Sequence, residues 1–232
     1  MFVIAGGMVG DFNIFTFEID KIKSPTNQGV RQMLDKSLLE LGIKFHGHKC
    51  PAMPLGIRAG IAAMNKLNVK HASNKELYCL CETGLAHAAM CFVDGVQIAT
   101  GCTFGKSNIE KLNYSKNAIT LIELKSKKAV RVSLNPSFQK KGLSSEFVNL
   151  RSKGIEPKDI RPEIVDPLIE KIWSLPDEEI LIAGDIFNIK FEPRKGTFDW
   201  YECEKCGEIV FAHGVRIINK AFYCIPCSDY NY

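Results

Sequence analysis

Four cysteines near the C-terminus constrain this chain more than any other feature of its sequence. They form two Cys-x2-Cys pairs, Cys203 with Cys206 and Cys224 with Cys227. Two intervening residues let one tight turn present two sulfurs at about 2.3 Å from a single ion. Gly207 follows the first pair, where such a turn favours a positive φ. The spacing predicts a zinc ribbon, and four thiolate ligands are typical of a structural zinc ion.

Other interpretations of the ribbon are weaker. Free core cysteines or redox pairs would not require two pairs at this spacing, and His213 is a possible competing ligand that four cysteines make unnecessary. Arg216, Lys220 and several aromatic residues would suit nucleic-acid binding, but a ribbon this small exposes such side chains in any case. The net charge is only +4, so nucleic acid is not predicted as a partner.

Length and composition favour one medium-sized domain followed by a small one. The chain has 232 residues, of which 46% are hydrophobic and 24% charged, as is ordinary for globular proteins. We predict an α+β domain over residues 1–192, a linker at Glu192–Gly196 and the ribbon over 197–232. The apolar start Met1–Gly10 lacks a basic region, and no uncharged apolar run approaches about 18 residues. We therefore expect a cytoplasmic protein with no membrane partner, whose nine cysteines serve metal or thiol chemistry.

Hydrophobic periodicity predicts the elements of the larger domain. Helices are predicted where apolar residues recur at helical spacing, and strands where β-branched residues form short runs. The predicted helices are Thr26–Leu41, ended by Gly42, then Pro51 to about Leu67, and Pro162–Leu175. The predicted strands are Glu76–Thr83, Val96–Thr100, the hairpin Ala118–Leu124 with Ala129–Leu134, and the second half of Ile180–Phe191, while residues 136–157 have no regular pattern.

The segment His46-Gly47-His48-Lys49-Cys50-Pro51 is the most informative part of this domain. A residue before proline favours extended geometry, so alternation predicts that His46, His48 and Cys50 share one face. Cys50 would then be the N-cap of the second helix, where the helix dipole lowers a thiol pKa. Such a set suits a soft metal ion or a nucleophilic thiolate. The alternative is that the histidines bind backbone carbonyls and Cys50 only packs.

A second informative segment runs from Cys91 to Asn108. Thr100–Asn108 is rich in small polar residues and offers backbone N–H groups to an anion, although it lacks P-loop spacing. Cys102 follows a predicted strand and stands beside Gly101, a position typical of a ligand or a reactive thiol. Cys79 and Cys81 alternate on another predicted strand, so we predict that they pack in the core.

Two stretches of the chain resemble the domain found in the E subunit of formylmethanofuran dehydrogenase. They read FHGHKCPAMPLGIRAG from Phe45 to Gly60 and CFVDGVQIATGCTFGKSN from Cys91 to Asn108. The resemblance implies a dimeric α+β domain with a metal site or active-site cleft. It implies a core metal site at His46, His48, Cys50, Cys91 and Cys102, cofactor contacts at Asp94, Gln97 and Thr103, and Cys50 and Cys102 as catalytic thiols.

Three functions follow as hypotheses. The first is a metal-binding accessory or regulatory factor for molybdenum or tungsten enzyme metabolism, with a structural zinc ion in the ribbon and a second metal ion in the core. It would form a homodimer and associate with such an enzyme. The second is a stand-alone enzyme that uses Cys50 or Cys102 as a nucleophile or a core metal to activate water. The third, a nucleic-acid-binding regulator, predicts a steep salt dependence of affinity.

Overall fold

The computed structural model describes residues 34–85 and 90–229. Backbone contacts divide the chain into two compact units, with the boundary between Phe191 and Glu192. Within the described ranges, no helix is both long and apolar enough to cross a membrane. Fold class α+β is confirmed: helices and a mixed sheet form the larger unit, and four cysteines cluster in the smaller one.

The first two helices meet at the candidate site. Helix α1 spans Lys36–His46, is capped by the Asp35 side chain, and ends at Gly47, whose φ is +86°. The prediction that Gly42 ends this helix is wrong, because Gly42 lies inside it, against the Met53 and Ile57 side chains. The predicted start at Thr26 lies outside the described residues. Helix α2 spans Ala52–Leu67, as predicted, and buries most of its length.

A mixed sheet supports these helices. Strands β1 (Leu77–Cys81), β2 (Ile109–Lys111), β3 (Ala118–Glu123), β4 (Lys128–Leu134) and β5 (Leu181–Ala183) are arranged in the order β2-β1-β3-β4-β5, and β6 (Phe187–Asn188) also pairs with β4. Only the β1–β2 pair is parallel among these pairs. The predicted hairpin is β3–β4, and Cys79 and Cys81 are fully buried, both as expected.

One strand prediction is wrong. Residues Val96–Thr100 belong to helix α3, which spans Met90–Thr100. Its buried positions recur at helical spacing, at Phe92, Val93, Val96, Ala99 and Thr100. The β-branched residues therefore pack against α2 in helical geometry, which shows tertiary packing overriding strand propensity.

The α2 and α3 backbones approach each other very closely. A Cβ added at Gly56 would overlap the carbonyl oxygen of Phe92, and one at Gly95 would overlap the carbonyl oxygen of Met53. Glycine is therefore required at both helix positions. This contact fixes how far Cys91, at the start of α3, lies from Cys50, just before α2.

Short helices complete the larger unit. The region predicted to be irregular holds α4 (Pro136–Leu143) and α5 (Glu146–Ser152), capped by the Asn135 and Ser145 side chains. Helix α6 (Pro162–Ser174) is as predicted and contains Pro167, and α7 spans Asp177–Ile180. The last apolar stretch forms the short strands β5 and β6 rather than one strand.

The smaller unit consists of two hairpins. Strand β7 (Trp200–Glu202) pairs with β8 (Ile209–Phe211), and β9 (Val215–Ile218) pairs with β10 (Ala221–Cys224). The first cysteine pair lies in the turn between β7 and β8, and the second lies at and after the end of β10. Gly207 has φ of +72°, which is the turn conformation that the sequence predicts.

Candidate metal centres

The ribbon cluster comprises Cys203, Cys206, Cys224 and Cys227. Its four sulfurs all lie within 4.8 Å of one another. Cys206 Sγ and Cys224 Sγ are 3.9 Å apart, close to the edge of about 3.8 Å of a tetrahedron with metal–sulfur distances of about 2.3 Å. The backbone N–H of Cys224 donates to Cys203 Sγ at 3.3 Å, and this bond is the main cause that lowers the pKa of Cys203 to about 6. The geometry suits a closed site of four thiolates.

The core cluster comprises His46, His48, Cys50 and Cys91. Each contributes one ligand atom, and these atoms also lie within 4.8 Å of one another. His46 Nε2 is 3.1 Å from His48 Nε2 and 3.5 Å from Cys50 Sγ. Around a tetrahedral zinc ion these edges would be about 3.3 Å and about 3.6 Å. Two imidazoles and two thiols therefore stand at the spacing of one metal ion.

Local structure brings three of these residues together by a turn. His46 is the last residue of α1, and Gly47 reverses the chain in a left-handed conformation before His48. The prediction that an extended segment aligns them by alternation is therefore wrong, although their proximity is as expected. Cys91 comes from the first turn of α3, 41 positions beyond Cys50 in the sequence, and the contact of α3 with α2 brings it into the cluster.

A series of hydrogen bonds that begins at Nδ1 orients the His46 ring. Its Nδ1 lies 2.8 Å from Asp94 Oδ2, and the His46 side chain is only 7% exposed. Gln97 Nε2 donates to Asp94 Oδ1 at 3.3 Å, while Gln97 Oε1 accepts from the backbone N–H of Phe104. A carboxylate that holds one ring nitrogen fixes the tautomer that presents the other to a metal. Asp94 and Gln97 thus lie behind the ligand atoms.

Neighbouring groups in the core cluster shift the pKa values of its thiols and imidazoles in opposite directions. The hydrogen bond from Cys50, together with His46, lowers the pKa of Cys91 to about 4. Asp94 first and Cys91 second raise the pKa of His46 to about 9. Burial, followed by the neighbouring His46, lowers the pKa of His48. A deprotonated thiol and neutral imidazole nitrogens are the forms that bind metals.

The expected low pKa of Cys50 is wrong. The backbone N–H groups of Ala52 and Met53 do favour its thiolate, as a helix N-terminus should. Cys91 acts first and burial second, and both raise the pKa of Cys50 well above its ordinary value. The N-cap residue is also Pro51 rather than Cys50. In the metal-free cluster the thiolate therefore belongs to Cys91.

Cys102 is not part of the core cluster that the described residues form. It is fully buried at the other end of α3, and burial raises its pKa to about 11. Its backbone N–H donates to Thr100 Oγ1, and its thiol interacts with Cys81. The structure thus places Cys102 in the apolar core with the β1 cysteines.

The Thr100–Asn108 loop uses its donors internally. The backbone N–H of Thr103 donates to Asn108 Oδ1, and the Thr103 hydroxyl accepts from the backbone N–H of Lys106. The Lys106 ammonium donates to the carbonyl of Ala72 at 3.0 Å. These bonds close the loop on itself, so the backbone N–H groups of Thr103 and Lys106 are not free to bind an anion.

Sequence reasoning missed one element of the surroundings. Lys49 forms an ion pair with Asp166 of α6, with both carboxylate oxygens at 2.9 Å from Nζ. The ion pair ties α6 to the segment that carries His48 and Cys50. The sequence shows that Lys49 and Asp166 have opposite charges, but they are 117 positions apart in the chain, so sequence alone does not pair them.

Comparisons with known proteins agree with this architecture. Residues 45–182 match the family model described as FmdE, molybdenum formylmethanofuran dehydrogenase operon. A protein of Archaeoglobus fulgidus named probable S-adenosyl-L-methionine-binding protein is 32% identical over 200 residues, which make up 82% of this chain and 52% of the relative. This chain thus spans about half the length of that relative.

A solved structure shares the fold. It is a protein from Syntrophus aciditrophicus described as similar to FmdE of tungsten formylmethanofuran dehydrogenase. The two superpose with a TM-score of 0.53 at 21% identity, covering 84% of this chain and 91% of that one. The resemblance drawn from the two sequence motifs is confirmed by the family match, which includes both motifs.

Proposed function

Because the chain belongs to the FmdE family, we propose that it is a metal-binding protein with one zinc ion in the ribbon cluster and a second in the core cluster. The single observation that carries the proposal is the convergence of two imidazole nitrogens and two sulfurs within 4.8 Å in the core cluster. Mixed nitrogen and sulfur donors at tetrahedral spacing favour zinc over the harder cations that prefer oxygen.

Four protein donors fill a tetrahedral coordination shell. A catalytic zinc ion keeps one position open for water or substrate, whereas a closed shell is typical of structural or carrier sites. The geometry therefore favours metal binding over water activation. The high pKa of Cys50 also disfavours this residue as a free nucleophile.

An accessory role in molybdenum or tungsten enzyme metabolism is part of the proposal. It is supported by the family, whose description names the formylmethanofuran dehydrogenase operon. Homodimer formation and association with such an enzyme stay predictions, as does a cytoplasmic location.

Metal counting on purified protein tests the proposal. We expect two zinc ions per chain for the wild type and one for Cys50→Ser and for Cys224→Ser, since each variant removes a ligand of one cluster. X-ray absorption at the zinc edge should give an average of three sulfurs and one nitrogen per ion, because the clusters together hold six sulfurs and two nitrogens. Cys102→Ser is the matched control and should retain both ions.

One ion in the wild type, unchanged by Cys50→Ser, would contradict the core site. Loss of an ion in Cys102→Ser would instead support the ligand set that the sequence predicted. A zinc environment of sulfur alone would also exclude His46 and His48 as ligands.

S-adenosylmethionine binding is a second candidate function. The observation that favours it is the 32% identity over most of this chain to a relative named for that ligand. Equilibrium dialysis of the zinc-loaded chain with labelled S-adenosylmethionine tests it, and no saturable binding would refute it.

A further inference from the structure

Three of the four residues in the core cluster are held by packed helices. His46 is the last residue of α1, Cys50 directly precedes the N-cap residue of α2, and Cys91 lies in the first turn of α3. The His46 side chain is 7% exposed and Cys50 is 2% exposed. Because α2 and α3 touch through their backbones, these three ligands have little freedom to move apart.

His48 is held differently. It belongs to no helix or strand and lies between the exposed residues Gly47 and Lys49, in the short turn that joins α1 to α2. Gly47 has a φ of +86°, and no atom lies within 4 Å of the place where its Cβ would stand. The turn that carries His48 therefore has open space beside it, and His48 itself is only half-buried.

Hydrogen bonds show the same difference between the two histidines. Asp94 holds His46 Nδ1, and Gln97 in turn donates to Asp94. Among the described residues, the hydrogen bonds of the His48 ring go to His46 and Cys91, which are themselves members of the cluster. A metal-bound histidine is normally oriented by a partner behind it, and loss of that partner lowers metal affinity about 10–100-fold. His48 is thus the least supported of the four ligands.

We infer that His48 is an exchangeable ligand and that its position on the core zinc ion accepts the thiolate of a small organic thiol. This inference rests on the proposed function, because it requires zinc in the core cluster. In the exchange the bond between zinc and His48 breaks and a bond between zinc and the incoming sulfur forms. The proton of the thiol passes to the released imidazole. No electron is transferred, and the zinc ion stays four-coordinate with three sulfurs and one nitrogen.

The donor set of the core cluster favours a thiolate as the incoming ligand. Thiolates are soft ligands that suit zinc, whereas carboxylates and water suit harder cations. A zinc ion with two thiolates and two neutral imidazoles has no net charge, so a third thiolate adds only one negative charge. Burial first, His46 next and, more weakly, the Arg151 cation lower the pKa of His48, so a positive charge lies near the exchanging position. The ribbon cluster has four thiolates and no histidine, and we expect no exchange there.

X-ray absorption at the zinc edge of Cys224→Ser, which should hold only the core ion, tests the inference. The probe is 2-mercaptoethanol, whose single sulfur cannot chelate zinc. Without the thiol the ion should have two sulfur and two nitrogen neighbours, and with excess thiol three sulfurs and one nitrogen. In the wild type the thiol should raise the total from six sulfurs to seven over the two ions.

His48→Ala and His46→Ala form a matched pair, since each removes one imidazole from the same ion. In a chelator competition His46→Ala should weaken zinc binding in the core cluster about 10–100-fold more than His48→Ala, because only His46 is oriented by Asp94. His48→Ala should also bind 2-mercaptoethanol about tenfold more tightly than Cys224→Ser does, because no side chain has to leave first.

Three results would overturn the inference. Two sulfurs and two nitrogens around the core ion in excess thiol would show that His48 does not exchange, and so would equal zinc affinities of the two histidine variants. Release of the core ion by the thiol would show removal of zinc rather than exchange. In these cases zinc binding by the core cluster still stands. Absence of zinc from Cys224→Ser before the thiol is added would refute both the inference and the core zinc site.

Discussion

Replacement of Arg58 by methionine should destabilise the larger unit severely. Arg58 lies on α2, is 2% exposed, and reaches across to the end of α6. Its guanidinium donates to the carbonyls of Ile172 and Leu175 at 2.5 and 2.8 Å and to Asp177 Oδ1 at 2.5 Å. These carbonyls belong to the last turn of α6 and the residue after it, where the helix has no donors of its own to offer them.

The magnitude follows from what methionine leaves behind. Removing one partner of a buried charged network costs about 3–5 kcal/mol, because the remaining groups stay desolvated. The Asp177 side chain is 41% exposed and can rehydrate, which moves the expected loss to about 3 kcal/mol. With a urea m-value of about 2 kcal/mol/M, the unfolding midpoint should fall by about 1.5 M.

Urea unfolding followed by far-UV circular dichroism measures this loss, since α1 to α7 all lie in the larger unit. Arg151→Met is the matched control. Arg151 donates to the carbonyl of Ile155, four residues away, and pairs with the 61%-exposed Glu156, so its loss should cost less than about 1 kcal/mol. If Arg58→Met and Arg151→Met shift the midpoint equally, the anchoring role of Arg58 is refuted.

Two further predictions concern the core cluster. Gly95→Ala should lower the free energy of unfolding by about 3 kcal/mol and reduce zinc in the core cluster, because the new Cβ must push α3 away from α2. The control is Gly142→Ala, at a helix position with open space around it, which should be neutral or slightly stabilising. Equal melting temperatures for the two variants would contradict the reasoning. Asp94→Asn should weaken zinc binding in the core cluster by about 10–100-fold, because it changes the hydrogen bond that holds His46 Nδ1. A chelator competition measures this loss, and the ribbon ion should be retained. Unchanged affinity would show that Asp94 does not orient His46.

Local spacing was sufficient to predict the ribbon cluster. Each Cys-x2-Cys pair forms one turn on its own hairpin, and backbone bonds from Glu204 N–H to the Phe222 carbonyl and from Cys224 N–H to Cys203 Sγ join the two hairpins. All four ligands therefore come from one short stretch of the chain. Periodicity likewise predicted α2, α6 and the β3–β4 hairpin. It failed at α3, where β-branched residues suggest a strand until the face of α2 against which they pack is known.

The membership of the core cluster was decided only by the tertiary structure. Cys91 and Cys102 both belong to the second motif, and the sequence treats them as equal candidates. Cys91 lies in the first turn of the 11-residue helix α3 and Cys102 follows its last residue by two, so the two are about 16 Å apart and one metal ion cannot bind both. The contact of α2 with α3 at Gly56 and Gly95 determines which end of α3 meets His46, His48 and Cys50. The sequence thus determined which residue types are available to bind metal, and long-range helix packing decided which of them meet.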